Sequence, residues 1–171
     1  IGKPGQWDDV APSYNHYKGN TFHRDHPGRN NTYYTNNTGR NDIVKAKVAR
    51  DQEFLYFYVE CAEPLTSRKE RNWMMLFIDI DRDKSTGWNG YDYIINRQSP
   101  TSKEVIVEKN VGNRWEWEEV KRERYIVAGN RLEIKVNRAT VGVKGKSLDF
   151  EFKWNDNMQE NGNIMDFYVN G

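Results

Sequence analysis

From residue 43 to residue 154 the chain repeats one pattern: apolar side chains fall at every second position in short runs, and Gly, Asn, Asp or Pro separates the runs. A period of two puts the apolar groups on one face of an extended strand, whereas a helix needs a period near ~3.6. Val44, Ala46 and Val48 thus oppose Lys45 and Lys47, and Phe150, Phe152 and Trp154 oppose Asp149, Glu151 and Lys153. Leu132, Ile134 and Val136 make the same stripe. Only residues 66–72 and 138–141 have the composition of a helical turn. Such strands bury their apolar faces only by pairing, so an all-β antiparallel protein is expected.

The runs place strands at 43–48 and 54–60, joined by a turn at Asp51-Gln52, and at 73–80, which is nearly all apolar and suits the centre of a sheet. Further strands are expected at 91–96, 103–108, 115–121, 124–128, 131–136, 149–154 and 165–169. Gly129-Asn130 between two of them is a strong signal for a two-residue hairpin. About nine or ten short strands with turns between them predict an antiparallel β-sandwich, jelly-roll or immunoglobulin-like, as a single domain over residues 1–171. Residues 1–41 are rich in Gly, Pro, Asn, His and Tyr and show neither period. They read as a long irregular N-terminal arm packed on a sandwich of residues 43–171.

Lys and Arg number 26 against 25 Asp and Glu. With no net field to draw a phosphate backbone, nucleic acid is not an expected partner. No run reaches the roughly 18 apolar residues of a membrane span. Aromatic residues make up 13% of the chain, which argues against disorder despite the high polar content. Cys61, the single cysteine, ends an apolar run and reads as a small buried side chain. The chain starts at Ile1 and stops just after a strand-like run, which reads as a module excised from a larger secreted protein.

The densest chemistry lies in residues 73–97, WMMLFIDIDRDKSTGWNGYDYIINR. Asp79, Asp81 and Asp83 alternate, and Asp92 follows Gly87 and Gly90. Hard oxygen donors on a tight loop are candidate calcium ligands, and the same carboxylates serve equally as acceptors for turn N–H groups. The loop is not an EF-hand, because the sixth and twelfth positions from Asp79 hold Lys84 and Gly90 rather than Gly and Glu. Trp88 and Tyr91 share this loop, and Trp115 and Trp117 share one face of a strand crowded with Glu116, Glu118 and Glu119. Flat rings beside hydrogen-bonding side chains suit the C–H faces and hydroxyls of sugars. Trp88, Tyr91, Trp115 and Trp117, with Arg97 and with Tyr34 from the arm, are therefore the candidate ligand-binding residues. Trp73 and Trp154 lie on apolar strand faces and read as core. His23 and His26 have an H-x-x-H spacing but no third soft ligand in sequence. Asn30 and Asn36 open N-x-T sequons. The chain shows no phosphate loop, nucleophile elbow or cysteine pair, so neither a catalytic residue nor an organic cofactor is expected.

Three segments, IVKAKVARDQEFLYFYVE, FIDIDRDKSTGW and RLEIKVNRATVG, together resemble the family-nine carbohydrate-binding modules and the wider DOMON-like sandwich superfamily. The resemblance implies a secreted, periplasmic or cell-surface accessory module that binds a polysaccharide or oligosaccharide. It further implies structural calcium in many members and a covalently linked catalytic domain, usually a glycoside hydrolase. Asp79 and Asp81 match the acidic strand end of that pattern, while Asn72-Trp73-Met74-Met75 stands where members commonly carry an acidic residue. Two alternatives stay open. One is a haem- or redox-carrying DOMON-like domain using Met74, Met75, Met158, Met165 and the three histidines. The other is a glycoside-active domain using paired carboxylates.

Overall fold

The computed structural model describes residues 1–19, 21, 24–27, 33–143, 145 and 148–158, with the backbone alone for 24–26 and 33–36. The strands are β1 (Ser13–Asn15), β2 (Arg24–Pro27), β3 (Tyr33–Asn36), β4 (Ile43–Arg50), β5 (Phe54–Cys61), β6 (Met75–Asp79), β7 (Tyr93–Ile95), β8 (Glu104–Asn110), β9 (Trp117–Ala128), β10 (Arg131–Asn137) and β11 (Glu151–Asn155). Nine form one antiparallel sheet in the order β1-β4-β5-β10-β9-β8-β7-β6-β11, and β2 pairs with β3 separately. No helix occurs among the described residues, and the segments 66–72 and 138–141 are bends and turns.

The all-β antiparallel expectation holds. In place of two separately bonded layers, one unbroken ladder curls into a half-barrel. Strand twist accumulates along a continuous sheet and becomes curl. It brings the edge strands β1 and β11 close enough for the Tyr14 and Phe152 rings to meet edge-on at 5.7 Å.

The concave face is the core. Leu55, Phe57 and Val59 of β5, Leu76 and Ile78 of β6, Val105 and Val107 of β8, and Leu132, Ile134 and Val136 of β10 are all fully buried there. Trp73 and Trp154 join them as expected. Cys61 is buried in the same cluster, and burial pushes its thiol up to about 12, which keeps it from acting as a thiolate. Strand β6 is buried on both faces: Leu76 and Ile78 point inward, while Met75 and Phe77 form an outer cluster with Ile94 and Met158. A nearly continuous apolar strand belongs where both faces are covered, and β6 has that cover, but it stands second from the sheet edge, between β7 and β11, rather than at the centre as its composition suggested.

Two boundaries differ from the sequence pattern. Strand β9 runs unbroken for 12 residues where two strands were expected, because the ladder with β8 continues through Arg122 and Glu123, opposite Ile106 and Val105. The arm is also less irregular than its composition suggests: β1 pairs with β4, and β2 and β3 pair with each other. Strands of three or four residues are too short to display a period. The hairpin at Gly129-Asn130 forms as expected, with Arg131 opposite Ala128 and Gly129 at a φ of 64°. The expected strand at 165–169 lies outside the described residues.

Residues 1–10 cross the convex face. The Trp7 ring lies 5.0 Å from that of Tyr58, and Lys47 Nζ donates to the Trp7 carbonyl at 2.6 Å. Gly2 N and Gln6 Nε2 both donate to Glu133 Oε2, at 2.8 and 2.6 Å.

Candidate functional site

The loop from β6 to β7 folds back on itself through a tight turn. Trp88 and Tyr91 exchange backbone hydrogen bonds at 2.9 and 3.0 Å, and Asn89 and Gly90 between them have φ of 52° and 93°. Two successive positive φ values are what a type I′ hairpin turn requires. A Cβ on Gly87 would lie 2.2 Å from the Tyr91 carbonyl oxygen, so only glycine lets the backbone pass itself there.

The carboxylates on this loop separate into two groups. Asp79, Asp81 and Asp92 each place an oxygen within 4.8 Å of the others. Asp83 turns away, accepting from Ser85 N at 2.8 Å and Ser85 Oγ at 2.6 Å, and these bonds hold its carboxyl below the usual range. Within the cluster Asp79, fully buried, accepts from Arg82 N at 2.7 Å, and Asp92 accepts from Ile80 N at 2.9 Å. Burial raises the Asp92 pKa above the ordinary carboxylate value, and the neighbouring Asp81 and Asp79 charges add to the rise.

Lys84, which the sequence pattern offered only as an EF-hand mismatch, supplies the positive charge of this cluster. Its Nζ lies 2.6 Å from Asp79 Oδ2 and 2.5 Å from Glu151 Oε2, and these bonds raise the lysine pKa. A calcium ion fits the chemistry of Asp79, Asp81 and Asp92, all hard oxygen donors on one loop, but it would share Asp79 with an ammonium already seated on it. Turn N–H groups, the Lys84 ammonium and the Thr86 hydroxyl, which donates to Asp81 at 3.2 Å, thus supply the cluster's hydrogen bonds.

The aromatic candidates converge. Trp88 and Tyr91 from the loop, Trp115 from the β8–β9 turn and Trp117 from the start of β9 all pack on the outer cluster, and all four are half-buried. Trp115 meets Trp88 edge-on at 4.5 Å and Trp117 edge-on at 5.5 Å, while Phe77 beneath lies 5.9 Å from Trp88 and 5.4 Å from Tyr91. Asn110, opposite Trp117 in the β8–β9 ladder, was not anticipated. Its Oδ1 and the Trp117 Nε1 are both buried, and among the described residues neither has a hydrogen-bond partner. Nothing in the local pattern of β8 marks Asn110; its place beside Trp117 follows only from the pairing.

Other candidates are placed elsewhere. Arg97 is committed to the fully buried Glu108, with Nη2 at 2.5 Å from Oε1 and Nε at 3.1 Å from Oε2. Tyr34 lies in β3, and its side chain falls outside the described residues, as do His23, Asn30 and Met165. Met74 packs in the inner cluster whereas Met75 and Met158 pack in the outer one, on opposite faces of the sheet. No family model, curated protein or solved structure matches the chain.

Proposed function

We propose that this domain is a non-catalytic carbohydrate-binding module, and that Trp88, Tyr91, Trp115 and Trp117 form its ligand face. The observation that carries the reading is the convergence of four half-exposed aromatic side chains, Trp88, Tyr91, Trp115 and Trp117, on one outer cluster of the sheet. Rings left partly open to solvent offer a flat apolar face on which the C–H side of a sugar ring can stack. Kinship with modules joined to secreted glycan-degrading enzymes rests on the resemblance of the three sequence segments, and the all-β antiparallel sheet is compatible with it. In this reading Asp79, Asp81 and Asp92 are the residues that would hold calcium, and the ion would stiffen the loop carrying Trp88 and Tyr91.

The test is calorimetry and array screening against neutral and acidic oligosaccharides, with and without calcium. Binding that falls at least tenfold in Trp115→Ala supports the reading. A natively folded protein that binds no glycan under either condition sinks it.

A further inference from the structure

A cavity opens at the rim of the core between residues 66–68, the turn at Ser102 and the end of β9. It measures about 460 Å³, within the range of small-molecule sites, and Thr66, Ser67, Arg68, Ser102, Tyr125 and Val127 are among its lining residues. Among the described residues none that lines it carries a carboxylate. The fold pins the segment before Arg68: Leu65 N donates to the Gly129 carbonyl at 3.1 Å, Thr66 N to Asn41 Oδ1 at 2.9 Å, and Trp73 Nε1 to the Thr66 carbonyl at 3.1 Å.

Arg68 is the cation of this cavity, and it lacks a counter-charge. The acids nearest in sequence are engaged elsewhere, Glu70 with Arg40 at 2.5 Å and Glu63 with Lys18 at 2.8 Å. Among the described residues the guanidinium makes no hydrogen bond or ion pair. Its Nε is sealed from solvent, whereas the side chain as a whole is half-buried, so Nη1 and Nη2 form the edge open to the cavity. Burial raises the Tyr125 pKa and the Arg68 charge pulls against that rise, which sets the guanidinium near the Tyr125 hydroxyl. A partly dehydrated guanidinium without an anion is unfavourable, and its two-pronged edge matches the two oxygens of a carboxylate. One cation offsets one charge, which favours a carboxylate over a dianionic sulfate or phosphate.

The rest of the lining fits an organic acid. The Thr66 and Ser67 hydroxyls already accept, from Asn41 Nδ2 at 2.9 Å and Lys69 N at 3.3 Å, so each keeps a proton to donate, and Ser102 adds a third hydroxyl. Tyr125 and Val127, two apart on β9, share one face, and Val127 is 42% exposed, so an apolar surface lies beside the charge.

We propose that this cavity binds a small organic carboxylate, its two oxygens on Nη1 and Nη2 of Arg68 and its apolar part against Tyr125 and Val127. The site shares no residue with the aromatic face and stands or falls independently of it. Mandelate, a carboxylate with a hydroxyl and a phenyl ring, serves as the probe, and mandelamide as its neutral counterpart. In ¹⁵N spectra the Arg68 Nε–H resonance, identified by its loss in Arg68→Gln, should shift saturably with mandelate and not with mandelamide. In calorimetry the mandelate affinity should fall about tenfold in Arg68→Gln and less in Arg68→Lys, which keeps the charge but loses the fork, and should stay unchanged in Trp88→Ala. Arg68→Gln should also melt no lower than wild type, because it removes a charge that no protein group pairs. No saturable shift, equal binding of mandelamide, or an affinity that Arg68→Gln leaves intact overturns the proposal. Sulfate competing as well as mandelate, or a lower melting temperature in Arg68→Gln, overturns it too, the first by showing general anion attraction and the second by showing that the guanidinium is paired within the protein.

Discussion

The convex side of the sheet carries two apolar patches, and they are finished differently. Over β4, β5 and β10 the chain itself closes the patch, leaving Trp7 8% and Tyr58 4% exposed. Over β6 and β7 four aromatic side chains gather and stay half-exposed. Both patches contain an indole N–H without an acceptor among the described residues, Trp7 and Trp117, so an orphan donor does not by itself mark a binding face. The second patch differs in its rim, where all four rings stay partly open to solvent. A closed patch stabilises the fold; an open one of this composition has a face left for a ligand.

Truncating each patch separates the two roles. Trp7→Ala should cost about 3 kcal/mol in denaturant unfolding, because it removes a large ring from a closed contact and loosens the segment that caps Glu133. Glycan affinity should stay within twofold. A loss near zero would show that residues 1–10 merely lie on the sheet.

Lys84→Ala tests what supports the open patch. It leaves the buried Asp79 without its ammonium, and with screening of the exposed lysine end the expected cost is about 1–2 kcal/mol. Millimolar calcium should then raise the melting temperature of the variant more than that of the wild type. Equal shifts in the two proteins would mean that Lys84 and a cation do not compete for Asp79. Trp88→Ala should cost less stability, about 1 kcal/mol, since the ring is half-exposed. Its signature is lost glycan binding, the reverse of the Trp7→Ala outcome.

The smallest effect belongs to Asp92→Asn. The folded-state pKa of Asp92 lies above its unfolded value, so the folded protein holds this proton to higher pH than the unfolded chain does. Stability from this group is therefore present at low pH and is lost as pH rises through the folded pKa. An asparagine still accepts from Ile80 N and removes a like charge from Asp79 and Asp81. The variant should gain less than about 1 kcal/mol at pH 7 after screening, and the gain should shrink toward pH 4. A variant less stable than wild type at pH 7 would show that the Asp92 charge is used, by a bound cation for example.

Much of this was legible in the order of residues. The alternation along β5 and β10 determined which side chains face the core, because a strand has only two faces; on β4 it holds for Ala46 and Val48, but a register shift between Ile43 and Lys45 sets Ile43 rather than the expected Val44 against the core. The uninterrupted apolar run at β6 announced a strand covered on both sides, and Asn89-Gly90 and Gly129-Asn130 set tight turns through local backbone sterics. The aromatic candidates were legible too, though only as separate residues, since Trp88 and Trp115 are far apart in the chain.

Tertiary structure decided what depends on distance. Curl, rather than division into layers, follows from the sum of small twists along an unbroken ladder, a quantity that no single strand contains. It brings β1 to β11, where the Tyr14 and Phe152 rings meet. Lys84 could be assigned to Asp79 and Glu151 only once β11 lay beside β6, and Arg97 was withdrawn from the ligand set only when pairing of β7 with β8 brought Glu108 within reach. Periodicity is a local property and survives in the sequence; partnership across the sheet is not, and the same residues acquire it only through register.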